Sequence, residues 1–191
     1  LEWKYKELPR GYYDVIWASP PCEQYSIARS NARAPIDFML ADSLVLLTQD
    51  IIEWFAPSCW FIENPEGSLL WRRFKFKRLI TTSYCSYGFP YRKNTTIATN
   101  LRIFCKRRCG GVGVCSQMIG SQHRAHAQKG GGGATNADHT TDELHRIPEG
   151  LCDDVARCVE RGNHWPRLAT HHQPPQVLPC QGALPLQVGC L

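Results

Sequence analysis

The chain has 191 residues, 43% of them apolar and 20% charged, which suits a globular domain with a hydrophobic core. It contains no apolar run near the ~20 residues of a membrane-spanning helix. It also has no apolar signal-peptide segment near Leu1. We therefore expect an intracellular, soluble protein of the cytoplasm or nucleus, depending on the host, without a membrane partner. Its ten cysteines are expected to be catalytic, metal-bound or buried thiols rather than disulfides.

The net charge of +5 is unevenly distributed along the sequence. Residues 72–108 contain eleven Lys or Arg and no Asp or Glu, whereas the remainder contains eleven basic and seventeen acidic residues. Aromatic residues are interleaved with these cations, a composition typical of surfaces that bind nucleic acid. We expect Arg72, Arg73 and Lys77 to contact the phosphate backbone of DNA. The alternative is that these cations form a solvated basic face and that the aromatic residues belong to the core.

The first half of the sequence predicts a parallel βαβ unit. An apolar run at 14–19 (DVIWAS) indicates a buried strand that ends at two prolines, and a second run at 59–62 (CWFI) is stopped by Pro65. Between them, residues 37–55 have helical periodicity, with an apolar face formed by Leu40, Leu44, Leu47, Ile51 and Phe55. Strands joined by a crossover helix run parallel, so the loops that follow them (PPCEQYS and ENPEG) should lie side by side.

The second half predicts further α/β structure. Residues 79–87 and 95–104 have the pattern of two more strands, and 105–140 form a Cys-, His- and Gly-rich segment without periodicity. A helix is predicted at 148–161, within a C-terminal helical segment at 141–162, with one face formed by Leu151, Cys152, Val155, Cys158 and Val159. Residues 163–191 have the composition of a disordered tail. The predicted fold class is α/β with a mostly parallel sheet.

Cys22 and Glu63 are the candidate chemical groups at the edge where the two loops meet. Cys22 follows Pro20 and Pro21 at the end of the first strand, and Glu63 occupies the matching position after the second. A thiolate is a strong nucleophile when a nearby cation or helix N-terminus favours it, and a carboxyl group can exchange a proton with a ring nitrogen. An isolated cysteine is more often a small buried hydrophobe, but the paired loops favour chemistry here.

Three segments around these residues resemble, in family order, the signatures of DNA cytosine-5 methyltransferases. Residues 20–26 (PPCEQYS) resemble Pro-Pro-Cys-Gln-x-Phe-Ser, residues 63–65 (ENP) resemble Glu-Asn-Val, and residues 88–93 (GFPYRK) are similar to the start of Gly-x-Pro-Gln-x-Arg-x-Arg. The resemblance spans roughly residues 8–104 and is strongest to short viral or phage-type members. It implies that residues 1–104 are the catalytic-centre part of a Rossmann-like fold that uses S-adenosylmethionine.

The resemblance implies a role for each matching residue. Cys22 would attack C6 of a flipped cytosine, C5 would then take the methyl group of S-adenosylmethionine, and Glu63 would hold or protonate N3. Other contacts to the substrate would come from Ser26, Asn64, Arg92 and Lys93. Contacts to the cofactor would come from Pro20, Pro21 and Asn163, the last because residues 162–166 resemble the Gly-Asn-x-x-Pro signature of the family.

The sequence also departs from the family. Glu23 replaces Gln, Pro65 replaces Val, Tyr91 replaces Gln, and Thr95 stands at the second Arg of the third signature. The Phe-x-Gly-x-Gly cofactor loop, expected well upstream of Cys22, is not among residues 1–21. We therefore expect that the first half of the fold is missing and that a cofactor-binding half is supplied in cis or in trans.

The segment at 105–140 carries a possible metal site. Cys105, Cys109, Cys115 and His123 have the donor types of a structural zinc site, although their spacing, C-x3-C-x5-C-x7-H, leaves open free thiols in a loop. In the family this region would be the target-recognition segment, here rudimentary.

Two other functions are compatible with the sequence. A non-enzymatic nucleic-acid-binding remnant would keep the basic surface and the base pocket without the cofactor half. A methyltransferase acting on an exocyclic amino group would use an Asp/Ser-Pro-Pro-Tyr loop, and Cys22 after Pro21 argues against it.

Overall fold

The computed structural model describes residues 4–26, 36–101, 108–128 and 130–162. Its strands are β1 (Val15–Ala18), β2 (Cys59–Pro65), β3 (Leu79–Ser83), β4 (Asn94–Thr99), β5 (Met118–Ile119) and β6 (Gln122–His123). Its helices are α1 (Phe38–Phe55), α2 (Leu70–Arg73), α3 (Thr141–His145) and α4 (Glu149–Gly162). Short 3-10 turns cover Tyr5–Glu7, Glu23–Tyr25 and Tyr84–Tyr87. No helix of these described residues is long and apolar enough to span a membrane.

The predicted βαβ unit is confirmed, but the prediction of a mostly parallel sheet is wrong. β1 and β2 pair in parallel, and the strand order is β1-β2-β4-β3. β4 lies between β2 and β3 and is antiparallel to both. The segment between β3 and β4 holds one 3-10 turn and no helix, and so short a connection joins antiparallel neighbours. Two of the three pairings are therefore antiparallel, although β1, β2 and β3 point the same way.

The second strand is longer than the sequence predicts. It continues through Glu63 and Asn64 to Pro65 because these residues pair with Ile97, Thr96 and Thr95 of β4. Glu63 therefore lies within a buried strand rather than in the loop after it. The strand predicted at 79–87 ends at Ser83, and the strand predicted at 95–104 begins at Asn94 and ends at Thr99.

Helix α1 covers one face of the sheet. It begins at Asp37, whose side chain accepts a hydrogen bond from the Leu40 amide, and it ends at Ala56 in the left-handed conformation. Its buried residues are Ala41, Val45, Ile52 and Phe55. The predicted apolar face is therefore only partly correct: Phe55 is buried as predicted, but Leu40 and Leu47 are 56% and 45% exposed.

Helix α4 covers the other face of the sheet. Leu151 and Val155 pack with Phe61 and Ile97, and fully burying side chains of this size stabilises a fold by about 1.5–3 kcal/mol each. Cys152, predicted on the same face, is exposed. The segment at 141–162 holds two helices rather than one, because α3 ends at His145 and α4 begins after Pro148.

Candidate active site

The loops after β1 and β2 lie side by side. The register pairs Ala18 with Ile62, and the buried Asn64 side chain donates a hydrogen bond from Nδ2 to the Pro20 carbonyl at 2.7 Å. Asn64 is only 1% exposed, and its buried Oδ1 has no hydrogen-bond partner among the described residues. Asn64, predicted to touch the substrate, thus ties the strand that carries Glu63 to the loop that carries Cys22.

Cys22 is half-buried and precedes the 3-10 turn Glu23–Tyr25. The Tyr25 amide donates to the Cys22 carbonyl at 3.0 Å, and the Tyr25 carbonyl accepts from Leu69 at 2.9 Å. The Tyr25 ring is fully buried, and its hydroxyl donates to Asp42 of α1 at 2.8 Å. The turn is therefore anchored from two sides, which holds the backbone of Cys22 in place.

Arg73 completes this anchor. Its guanidinium donates from Nε and Nη2 to the carboxylate of Asp42, which also accepts from Tyr25. Burial alone would raise the pKa of Asp42, but the hydrogen bonds from Arg73 and Tyr25 and the Arg73 charge lower it. The Asp42 carboxylate therefore stays ionised and holds α1, α2 and the Cys22 loop together.

Glu63 is buried on the α4 face of the sheet and is held by two hydroxyl donors. Thr95 and Tyr84 both donate to Glu63 Oε1, the latter at 3.5 Å. Thr95 also contacts the Asn64 carbonyl at 3.2 Å. Burial, with the nearby Glu63, raises the pKa of Tyr84, so its hydroxyl remains protonated. Thr95, a departure from the family signature, and Tyr84, which carried no signal in the sequence, thus orient Glu63.

Lys93 is half-buried on the same side of the sheet. Its Nζ donates to the Leu144 carbonyl at 2.8 Å and lies 4.8 Å from the centre of the Tyr84 ring. Burial lowers the pKa of Lys93, while the charges of Glu63 and Cys22 oppose that shift. Tyr84 thus contacts both Glu63 and Lys93, and the hydrogen bond from Asn64 to Pro20 holds the Cys22 loop beside the strand that carries Glu63.

The environment of Cys22 favours the protonated thiol. Burial raises its pKa, the charges of Glu23 and Glu63 raise it further, and the charge of Lys93 opposes the increase. Nucleophilic attack at neutral pH would therefore require loss of the thiol proton as the new bond forms, with Lys93 as the cation that favours the thiolate.

The other predicted site residues are placed as follows. Ser26 is half-buried at the end of the Cys22 turn, Pro20 is buried, and Pro21 is exposed. Arg92 is exposed and interacts electrostatically with Cys109 and His123, so it lies on the side of the Cys/His segment. Asn163 and the tail lie outside the described residues, as does Cys105.

A Cys/His cluster lies next to the candidate active site. The ligand atoms of Cys85, Cys109, Cys115 and His123 all lie within 4.8 Å of one another. Three of these residues were predicted from the sequence. Cys85 was missed because it lies far upstream, directly after β3, where only the folded sheet shows that it faces the segment.

The basic stretch is only partly available to a ligand. Arg72, Lys75 and Lys77 are exposed. Arg73, expected on the DNA backbone, is instead largely buried in its ion pair with Asp42, and Arg108 pairs with Glu66 at 3.1 Å.

The fold and site define an α/β protein with a cysteine, a carboxyl group and a lysine near the carboxyl ends of adjacent parallel strands. Among curated proteins, the chain is similar to the "Probable DNA (cytosine-5)-methyltransferase" of Frog virus 3 (isolate Goorha). The two are 30% identical over 136 residues, which is 62% of this chain and 61% of the relative. The family resemblance predicted from the three motifs is thereby confirmed.

The similarity has a defined extent. The match spans about three fifths of the length of the viral relative. No protein-family model matches the chain.

Proposed function

We propose that the chain forms the catalytic centre of a DNA cytosine-5 methyltransferase, with Cys22 as the nucleophile. The observation that carries this proposal is the grouping of Cys22, Glu63 and Lys93 around the carboxyl ends of β1 and β2, which the parallel register and the contacts of Asn64 and Tyr84 create. Ligands of open α/β sheets bind at this edge. The similarity to a probable enzyme of this class supports the same function.

Cys22, Glu63 and Lys93 would each serve the addition of the thiol to the base. Cys22 Sγ adds to C6 of the cytosine as its proton passes to solvent, while Glu63 donates a hydrogen bond or a proton to N3 and so neutralises the negative charge that develops on the ring. Lys93 stabilises the negative charge that develops on sulfur as the thiol proton leaves. After C5 has taken the methyl group, water accepts the C5 proton and the C6–S bond breaks with its electron pair on sulfur. The C5–C6 double bond and the free cysteine are thereby restored, and the N3 proton returns to Glu63.

S-adenosylmethionine would supply the methyl group. Its contacts among the described residues would come from the carboxyl end of β1, where Pro21 is exposed. Within the described chain no strand precedes β1, and β1 pairs only with β2, so its other edge is open to further strands. We propose that a cofactor-binding half, in cis or in trans, completes the sheet at this edge.

DNA would approach the same end of the sheet. Cytosine C6 is inaccessible inside a duplex, so the base must leave the stack to reach Cys22. We assign the exposed cations Arg72, Lys75 and Lys77 to phosphate contacts, and Lys93 to the base or its own phosphate.

Methyl transfer tests this proposal directly. The chain, completed with its cofactor-binding half, is incubated with DNA and isotopically labelled S-adenosylmethionine, and the hydrolysed bases are identified by mass spectrometry. We expect 5-methylcytosine, no product from Cys22→Ser, and full activity from the matched control Cys152→Ser, which changes an exposed thiol on α4. Glu63→Gln should lower the rate by about 10²–10⁴-fold, as loss of a general acid does.

Two results would contradict the proposal. Methylation of the exocyclic amino group would identify the amino-methyltransferase class instead. A completed protein that binds both DNA and S-adenosylmethionine, yet transfers no methyl group, would identify a non-enzymatic DNA-binding protein.

A further inference from the structure

Four side chains of types that can bind a metal ion meet at the boundary between the sheet and the segment at 108–128. Cys109, Cys115 and His123 come from this segment, and Cys85 comes from the 3-10 turn that follows β3. Cys85 is 2% exposed, and the other three are half-buried. The proposed methyl transfer uses none of these four side chains.

The segment at 108–128 has little hydrophobic core of its own. Val112 and Val114 are 66% and 76% exposed, and Ala125 is its one fully buried apolar residue. Its only strands, β5 and β6, have two residues each, and an isolated hairpin of this kind is not stable in water. A small segment without a core needs another constraint, and a metal ion is a common one.

The cluster has nearly the dimensions of a tetrahedral zinc site. His123 Nε2 lies 3.5 Å from Cys109 Sγ and 3.7 Å from Cys115 Sγ. Zinc bonds of about 2.3 Å to sulfur and 2.0–2.1 Å to nitrogen, at tetrahedral angles, place S and N about 3.6 Å apart. All four donors lie within 4.8 Å, so movements of about 1 Å would complete the tetrahedron.

The backbone around Cys109 supports a thiolate ligand. The Gly111 amide donates to Cys109 Sγ at 3.4 Å, and hydrogen bonds of this kind stabilise ligating thiolates. Gly111 has φ +75°, a conformation that favours glycine and that turns its amide toward the sulfur. Arg92 lines one cavity together with Gly111 and His123, and its charge would offset the net negative charge of three thiolates, one imidazole and one Zn²⁺.

We propose that Cys85, Cys109, Cys115 and His123 form a closed structural zinc site that joins the segment at 108–128 to the catalytic sheet. Binding releases the three thiol protons to solvent, and no oxidation is involved. Cys85 follows Tyr84, which holds Glu63, and the Cys109 amide donates to Ser83 Oγ at 3.0 Å. The metal would therefore fix both the segment and the turn that orients Glu63.

Metal content of the purified 191-residue chain tests the site. We expect about one zinc per chain, lost in Cys85→Ser and retained in Cys105→Ser and in the exposed control Cys152→Ser. Replacement by Co²⁺ should give the visible absorption of a tetrahedral thiolate site, and His123→Cys should keep the metal while shifting that spectrum. Retention of zinc in Cys85→Ser together with its loss in Cys105→Ser would overturn the ligand set.

Alkylation of the wild-type chain tests the same site without substitutions, so the result does not depend on whether a variant folds. In the wild-type chain, alkylation followed by peptide mapping should show Cys85, Cys109 and Cys115 protected until a chelator is added, and Cys152 modified throughout. Equal modification with and without chelator, a disulfide between two of the three cysteines, or iron in place of zinc would each refute the zinc site.

Discussion

Neutralising Asp42 should destabilise the protein through the loop that carries Cys22. In Asp42→Asn the side chain keeps its shape but loses the negative charge of the carboxylate that accepts hydrogen bonds from Arg73 and Tyr25. Hydrogen bonds to charged groups contribute about 1.5–3 kcal/mol, and the two side chains of the ion pair are 22% and 21% exposed, so solvent recovers part of the loss. We expect the free energy of unfolding to fall by about 2 kcal/mol.

Thermal and urea unfolding measure this effect. A loss of about 2 kcal/mol corresponds to a fall in Tm of about 4–8 °C for a chain of this size. The matched control Glu7→Gln, which breaks the exposed pair with Lys4, should change stability by less than about 0.5 kcal/mol. A change in Asp42→Asn no larger than in this control would refute the anchoring role.

The pH dependence of the same effect has a defined sign. The folded state lowers the pKa of Asp42, so its contribution is present above the pKa of the unfolded chain, about 3.9, and disappears as pH falls through the lower folded value. The stability difference between wild type and Asp42→Asn should therefore be constant near neutrality and shrink below about pH 4. A difference that grows on acidification would contradict this assignment.

Three further predictions concern the site itself. Lys93→Met should slow alkylation of Cys22 at neutral pH by roughly three- to tenfold, because the cation that favours the thiolate is lost. The exposed control Lys75→Met should leave the alkylation rate unchanged. An equal effect of the two substitutions would refute the interaction between Lys93 and Cys22. Thr95→Val should lower stability by about 1–3 kcal/mol and reduce methyl transfer, whereas Thr95→Ser, which keeps the hydroxyl, should restore both. Reversing the charges of Arg72 and Lys77 together should make the slope of log K for duplex-DNA binding against log salt concentration less negative by about 2. An unchanged slope would refute the proposed DNA-binding surface.

The βαβ unit could be predicted because its signals are local. The apolar runs at 14–19 and 59–62 and the periodicity between them specify two strands and a helix, and the crossover length makes the strands parallel. The buried face of α1 could not be predicted in the same way. Leu40 and Leu47 are as apolar as the residues that face the sheet, and only the packing of the sheet separates them.

The position of β4 in the sheet and the place of Cys85 in the Cys/His cluster are set by tertiary structure and could not be predicted from the sequence. The sequence of β4 carries no signal that this strand lies between β2 and β3. Thr95 is therefore visible in the sequence only as a departure from the family signature, and its hydrogen bond to Glu63 appears only in the folded sheet. Cys85 has no regular spacing from Cys109, and the two meet only because β3 ends where the segment folds back. Cys22, Glu63 and Lys93 are predictable from the sequence because each lies within a recognisable family signature.

Covalent trapping tests the role of Cys22 most directly. The chain, completed with its cofactor-binding half and shown to bind S-adenosylmethionine, is incubated with duplex DNA in which 5-fluorocytosine replaces cytosine. Fluorine at C5 blocks the elimination that releases the enzyme, so we expect a protein–DNA adduct that survives denaturation, maps to Cys22 and is absent from Cys22→Ser. An adduct that persists in Cys22→Ser, or no adduct from a wild-type protein that binds both DNA and S-adenosylmethionine, would contradict nucleophilic catalysis by Cys22.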